Sequence, residues 1–311
     1  MDRIRQELGL IPVEYPTTRQ LGASAVERAR DVMAAWADPS IRAVLATLGG
    51  DDQITLLPHL RAEVFQADPK PFFGYSDNTN LLNWLWNLGA IAYHGGSTMV
   101  HLGRGGAMHH VSLSSLRAAM FGTDEVQLTP VETFSEDEIS WDSSEALTTS
   151  PPSRESAGWE WHNADRVIEG PTWGGNLEVL HWNLAAGRWI RPAEDYSGCV
   201  LLIETSEEMP SSTEVHRMLR NMGERGLLAQ FPAVVVGRPK ASVRTAPTNS
   251  VERAAYVRDQ AEAVLTTVAT YRPDALVVLS VDIGHTDPQW IVPYGGTMRI
   301  DGPARTIHVR Y

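Results

Sequence analysis

The chain has 311 residues, 43% hydrophobic and 21% charged, with 38 acidic against 26 basic side chains and a net charge of −12. That balance belongs to a globular protein, since a disordered chain carries fewer aliphatics and more net charge; at about 150 residues per domain, two domains or one large α/β unit are expected. Phosphate-tracking proteins need a basic surface, and a chain with only two lysines, Lys70 and Lys240, and no basic run argues against nucleic acid as a partner.

The first half alternates helical and strand patterns. SAVERARDVMAAWADPS (24–40) spaces Val26, Ala29, Val32, Met33 and Trp36 at a helical period. IRAVLATLGG (41–50) reads as a strand ending in a glycine loop, QITLLPHLRAEVF as a helix interrupted by Pro58, and PFFGYSD (71–77) as a strand entering a sharp turn. NTNLLNWLWNLG (78–89) predicts a helix capped by Gly89. Trp84 and Trp86, two apart on it, cannot share a face and read as core or subunit-interface residues. From about 125 to 160 the chain is rich in Ser, Thr, Glu and Pro without a sustained period, the signature of a connection or an active-site flap.

The second half resumes with GGNLEVLHWNLA (174–185), read as a helix after a glycine turn. CVLLIETSEE (199–208) is a strand running into an acidic turn, TEVHRMLRNMGERGLL an amphipathic helix, and AVVVGRP (233–239) a strand. ERAAYVRDQAEAVLTTVATY (252–271) is a long helix, ALVVLSVDIGH (275–285) a strand and loop, and TIHVRY the last strand. Strands separated by helices predict parallel sheets with helices on their faces.

Three polar residues occupy strand ends, where open parallel sheets bind ligands: Ser76, Glu204 and His285. A serine hydroxyl needs a histidine to take its proton, and the histidine needs a carboxylate to orient it. Two backbone N–H groups must meet the oxyanion; those of Asp77 and of the Gly49–Gly50 pair are the candidates. Taken alone, Ser76 is as readily an N-cap, Glu204 a strand-end surface acid followed by Glu207 and Glu208, and His285 one of ten histidines. GYSD matches only half of the G-x-S-x-G elbow. Cys199 is the sole cysteine, so cysteine-based metal sites and intrachain disulfides are excluded. GRGGAMHH (103–110) has neither dinucleotide nor P-loop spacing, and its adjacent histidines point apart, so it reads as a loop near the site. Neither a cofactor nor a metal is called for. MDRIRQELGL lacks a signal-peptide core, and the apolar runs fall short of the ~20 residues that span a bilayer, so a cytoplasmic protein that does not enter membranes is expected.

Five blocks occur in one order: ATLGGDDQITLLPHL (46–60), GYSDNTNLL (74–82), GPTWGGNLEVL (170–180), LLIETSEE (201–208) and DIGHTDPQWIVPYG (282–295). Together they closely resemble the LD-carboxypeptidase family of serine peptidases, from about residue 20 to the end. That family includes murein tetrapeptide carboxypeptidases and microcin C immunity proteins. The resemblance implies an α/β fold of two domains: an N-terminal parallel-sheet domain (1–147) carrying the nucleophile, and a C-terminal mixed-sheet domain (148–311) carrying Glu and His. The site would form between them, commonly in a homodimer. It assigns Ser76 as nucleophile, Glu204 and His285 as its partners, and the backbone of Asp77 and Gly50 as oxyanion donors. Family members begin with a strand and a Ser/Pro-rich turn, whereas this sequence starts inside the first helix, so the expectation is either a start codon placed late or a sheet that has lost an edge strand something else must cover. The insert at 125–172, with GWEWHNAD (158–165), resembles the microcin-immunity branch. There Trp159, Trp161 and Trp173 are expected either to stack on a flat leaving group or to pack the loop onto its domain. The implied substrate is an aminoacyl- or peptidyl-nucleotide conjugate, with a murein peptide that loses D-alanine as one alternative and a non-catalytic, ligand-sequestering protein as the other.

Overall fold

The structure, a computed structural model, describes residues 1–137 and 139–311; Glu138, inside the expected insert, lies outside the described residues. Helix α1 (Asp2–Leu8) and a 3-10 turn (Pro16–Arg19) precede α2 (Ala25–Ala37). Ser24 starts α2 with a reciprocal box, its hydroxyl accepting from Glu27 N while the Glu27 carboxylate accepts from Ser24 N. Strand β1 (Val44–Leu45) is shorter than its apolar run suggests, because the chain leaves the ladder to form the glycine loop. The helix expected after it resolves into two 3-10 turns, Gln53–Thr55 and Leu57–His59, and a short α3 (Ala62–Ala67); Pro58 has no N–H with which to continue an α-helix.

Next come β2 (Phe72–Gly74), α4 (Thr79–Asn87), β3 (Ala92–His94) and α5 (His110–Phe121). The segment without period contains four short strands, β4 (Glu125–Leu128), β5 (Thr133–Phe134), β6 (Arg154–Glu155) and β7 (Glu160–His162). The glycine turn expected near residue 174 is instead the end of a ten-residue strand, β8 (Val167–Asn176), with α6 (Leu177–Ala186) after it. Those glycines mark close approach rather than a break. A Cβ on Gly175 would lie 2.6 Å from Thr79 Oγ1, and one on Gly174 would meet the Leu202 backbone. β9 (Val200–Glu204), α7 (Ser212–Glu224), β10 (Ala233–Gly237), α8 (Ser250–Tyr271), β11 (Leu276–Val281) and the last strand, β14 (Thr306–Arg310), follow expectation, whereas β12 (Val292–Tyr294) and β13 (Thr297–Asp301), between the histidine loop and β14, were not expected.

A four-stranded sheet has the order β1-β2-β3-β12, its first three strands parallel and β12 antiparallel. An eight-stranded sheet has the order β4-β14-β13-β8-β9-β10-β11-β7, with a parallel centre from β8 to β11 and antiparallel flanks. The two sheets exchange strands, since β12 returns to the small sheet and β4 joins the large one. Residues of β9 alternate between two buried clusters: Leu201 and Ile203 face α4, α6 and α7, while Val200 and Leu202 face β12–β14. Burial on both faces explains why the central strands read as unbroken apolar runs.

A buried polar seam ties α4 to the large sheet and its helix. Asn176 N donates to Thr79 Oγ1 at 3.0 Å, Asn183 Nδ2 to Asn80 Oδ1 at 3.0 Å, and Trp173 Nε1 to Asn83 Oδ1 at 2.9 Å. Each bond costs little to make and much to break, because a buried group left without its partner keeps its desolvation penalty. Asn80→Ala should therefore lower unfolding stability by about 1–3 kcal/mol in urea denaturation. A loss under about 0.5 kcal/mol, the scatter of an ordinary surface change, would mean the seam does not hold the two parts together.

Candidate active site

Four strands deliver the candidate side chains at their carboxyl ends. Ser76 follows β2, His94 ends β3, Glu204 ends β9 and His285 lies four residues beyond β11. Ser76 adopts φ 61°, a left-handed conformation for a residue with a side chain. Such a backbone costs on the order of 1–3 kcal/mol and persists only where its surroundings enforce it. Here Gly74 lets the chain double back, since a Cβ on it would lie 2.8 Å from Asn78 Cβ. Asn78 Nδ2 then donates to Tyr75 O and to Leu48 O.

The glycine loop is bound to the same turn. Asp52 N and Gln53 N donate to Asp77 Oδ2 at 3.1 and 2.9 Å, and Asn80 Nδ2 donates to Asp77 Oδ1 at 2.8 Å. Gln53 bridges onward, donating to Asn78 Oδ1 and accepting from Leu81 N. Burial of Asp77 raises its carboxyl above the usual range despite these three donors. The loop passes so close that a Cβ on Gly49 would lie 3.0 Å from Ser76 Oγ and 3.7 Å from Asp77 N. Gly50, at φ 157°, carries the chain past the Asp77 carboxylate. Ser76 Oγ therefore has the backbone of residues 49–50 on one side and the start of α4 on the other.

Glu204 is buried, and its Oε2 lies 2.6 Å from His285 Nδ1. Gly237 and Gly284 make room for it, because a Cβ on either would stand 2.7 Å from Glu204 Cβ. Desolvation disfavours the Glu204 carboxylate, but the His285 charge and hydrogen bond, with His94 beyond, outweigh it and hold the group well below the usual carboxylate range. Burial likewise disfavours the His285 imidazolium, yet Glu204 first and then Glu207 raise it above its ordinary value. The ring of Tyr75, next to Ser76, packs edge-on against His285 at 5.0 Å and is flanked by His94 and His101. Burial pushes His101 down to about 4, so it is neutral at pH 7. Among the described residues no hydrogen bond joins Ser76 to His285; His285 Nε2 is 3.1 Å from Glu207 Oε2 instead.

The expected tryptophans go elsewhere. Trp173 is fully buried, stacked on Phe231 at 5.8 Å, and cannot touch a substrate. Trp159 donates from Nε1 to Asp282, which also pairs with Arg238, and Trp161 lies on β7 beneath Arg305. These rings pack the segment onto the large sheet, the blander of the two expectations. Trp84 and Trp86 divide as their spacing requires, Trp84 against Phe65 and Trp86 stacked on Tyr196. Within the insert Trp141 is the mostly exposed tryptophan, at 55%. The stretch after it reaches the GRGG loop, where Gly106 N donates to Leu147 O and Arg104 to Ser150 Oγ. Arg104 also pairs with Asp287 at 2.6 Å, two residues from His285, and Ser135 exchanges backbone bonds with Asp287. Insert, GRGG loop and histidine loop thus form one wall. Trp141 stands in a stretch without period, so its exposure had no sequence signal. Among the described residues no group of three or more His, Cys, Asp or Glu side chains is arranged to hold a metal ion, and no helix is long and apolar enough to cross a membrane.

The chain is similar to known proteins in sequence and fold. A profile described as the LD-carboxypeptidase N-terminal domain matches residues 1–95, and one described as the LD-carboxypeptidase C-terminal domain matches residues 169–300. The chain belongs to the LD-carboxypeptidase family. The microcin C7 self-immunity protein MccF of Escherichia coli is 24% identical, over 91% of this chain and 78% of its own length. A Vibrio cholerae protein provisionally named a carboxypeptidase is 26% identical over 68% of this chain, which spans only 61% of that relative's length. A solved MccF-like protein from Streptococcus pneumoniae, in complex with AMP, superposes with a TM-score of 0.86 at 26% identity, covering 100% of this chain and 91% of that one.

Two outcomes check this geometry. Gly49→Ala places a methyl group against Ser76 Oγ and should cut kcat about 10²-fold, the scale of a 1 Å misplacement, with little change in melting temperature; near-normal kcat would mean the loop does not border the reacting atoms. Glu207→Gln removes one of the charges that raise the His285 pKa. If His285 is the base proposed below, the acid limb of kcat/KM should then move to lower pH, and an unmoved limb would show that the contact does not act on the imidazole.

Proposed function

We propose that this protein is a serine amide hydrolase acting on an aminoacyl- or peptidyl-nucleotide conjugate. The observation that carries the reading is the buried Glu204–His285 pair beside a strained Ser76 under the Gly49–Gly50 loop. His285 Nε2 takes the Ser76 proton as Oγ attacks the substrate carbonyl, and Glu204 holds the imidazolium by Nδ1. The negative oxygen then meets the N–H groups of Asp77 and Gly50; each such donor contributes about 3–4 kcal/mol where measured. Collapse breaks the carbon–nitrogen bond, His285 gives its proton to the leaving amine, and an acyl-Ser76 intermediate remains. Water, deprotonated by the same imidazole, releases the acid and restores the serine.

The conjugate class is supported by the AMP held by the Streptococcus pneumoniae relative, whose fold this chain matches along its whole length. Trp141, the mostly exposed tryptophan of an insert whose later residues Leu147 and Ser150 bond to the GRGG loop, is the ring we assign to stacking on the flat leaving group, worth about 1–3 kcal/mol per base. The carboxypeptidase name of the Vibrio relative supports the second reading, a murein tetrapeptide.

The test is a turnover assay comparing an aminoacyl sulfamoyl adenosine or peptidyl-adenylate amide with a murein tetrapeptide, for wild type and Ser76→Ala. The nucleotide conjugate should be hydrolysed preferentially by wild type and by no measurable amount in the variant. Preferred release of D-alanine would select the murein reading, and turnover surviving in Ser76→Ala would overturn the mechanism. A conjugate bound tightly by wild type but never cleaved would make the protein a sequestering one.

A further inference from the structure

Glu207 occupies the atom that catalysis needs. Its Oε2 is 3.1 Å from His285 Nε2, the nitrogen that must face Ser76, while Nδ1 is held by Glu204. An imidazole between two carboxylates donates from both nitrogens, so in this arrangement it has no lone pair for the serine proton. The side chain of Glu207 is nevertheless 56% exposed and can leave.

Its backbone is fixed. Glu178, buried under the acidic turn, accepts from Ser206 N at 2.8 Å and from Ser206 Oγ at 2.7 Å, and Glu208 N donates back to Ser206 Oγ. Met209, at φ 53°, closes the turn with its N–H on Ser206 O. The turn thus presents a carboxylate at a set position over the site. Among the described residues the one ion pair of Glu207 is with His285, and the nearby cation Arg104 is committed to Asp287. With Glu204 and Glu178 below, this side of the cleft attracts cations and repels anions.

We propose that Glu207 is a specificity-determining residue that receives the free α-ammonium of an aminoacyl substrate. The inference rests on the function proposed above and narrows its substrate class to acyl groups with an unblocked amine next to the scissile carbonyl. The α-nitrogen is two bonds from the carbon that Ser76 attacks, and Ser76 Oγ must hydrogen-bond the same His285 Nε2 that Glu207 faces, so the ammonium is delivered to the side of the imidazole where the Glu207 carboxylate stands. As the carboxylate turns to the ammonium, His285 releases its Nε2 proton to solvent water and becomes a base. A substrate with a blocked amine offers nothing to draw Glu207 away, and one with a carboxylate there is repelled. Recognition and activation are then the same movement.

The test is calorimetric binding of alanyl sulfamoyl adenosine and its N-acetyl form to Ser76→Ala and to Ser76→Ala/Glu207→Gln, so that turnover does not enter. The first protein should prefer the free amine by about tenfold or more, the scale of one well-placed charge pair; the second should lose most of that preference, and Glu207→Asp should recover part of it. An equal preference in both proteins, no preference in the first, or binding of neither form overturns the proposal. Failure of the parent reading looks different: wild type would leave the alanyl conjugate uncleaved while the preference for the free amine survived.

Discussion

The site depends on one buried ion pair between groups 81 residues apart in sequence, Glu204 and His285. A carboxylate removed from water at the end of a central strand is tolerated only if its charge is met. His285 meets it at 2.6 Å on one oxygen, while His94 Nε2 stands 3.8 Å from the other, too far for a hydrogen bond. Two glycines, Gly237 and Gly284, yield the space in which the pair forms. The same contact fixes which nitrogen of His285 points away from Glu204, and so which direction a nucleophile must come from.

The small sheet answers that direction. β2 ends in a turn that no residue with a side chain adopts cheaply, and the turn is held by Asn78, Asp77 and the glycine loop. The helix leaving it is bound to the large sheet by the Thr79, Asn80 and Asn83 bonds. The Ser76 turn is thus held through two polar networks that meet at α4. Strain at Ser76 is offset by the bonds around it, a common arrangement where a hydroxyl must stand clear of its own helix.

Much of this was legible in the sequence. The central strands were readable because burial on both faces makes unbroken apolar runs, and α2 and α7 because their apolar residues recur at a helical period. Ser76, Glu204 and His285 could be placed at strand ends by pattern, but their roles came from the resemblance of five blocks. What failed had physical reasons. Gly174 and Gly175 read as a break because local sequence cannot show that Thr79 and the Leu202 backbone press against them. Pro58 turned one expected helix into 3-10 turns. Trp159 and Trp173 were ambiguous until Asp282 and Phe231 stood beside them, since a tryptophan that packs and one that stacks on a ligand look alike in a string. The seam of Asn80, Asn83 and Asn183 gave no signal, because a buried asparagine differs from a surface one only by partners distant in the chain.

Reactivity of Ser76 toward a fluorophosphonate probe, followed by mass spectrometry and compared with Glu204→Gln and His285→Ala, tests the central pair most directly. The label should fall on Ser76, with a labelling rate at least about 10²-fold slower in both variants, as expected when a serine loses its base or the group that orients it. A label on another residue, or an equal rate in all three proteins, would contradict it.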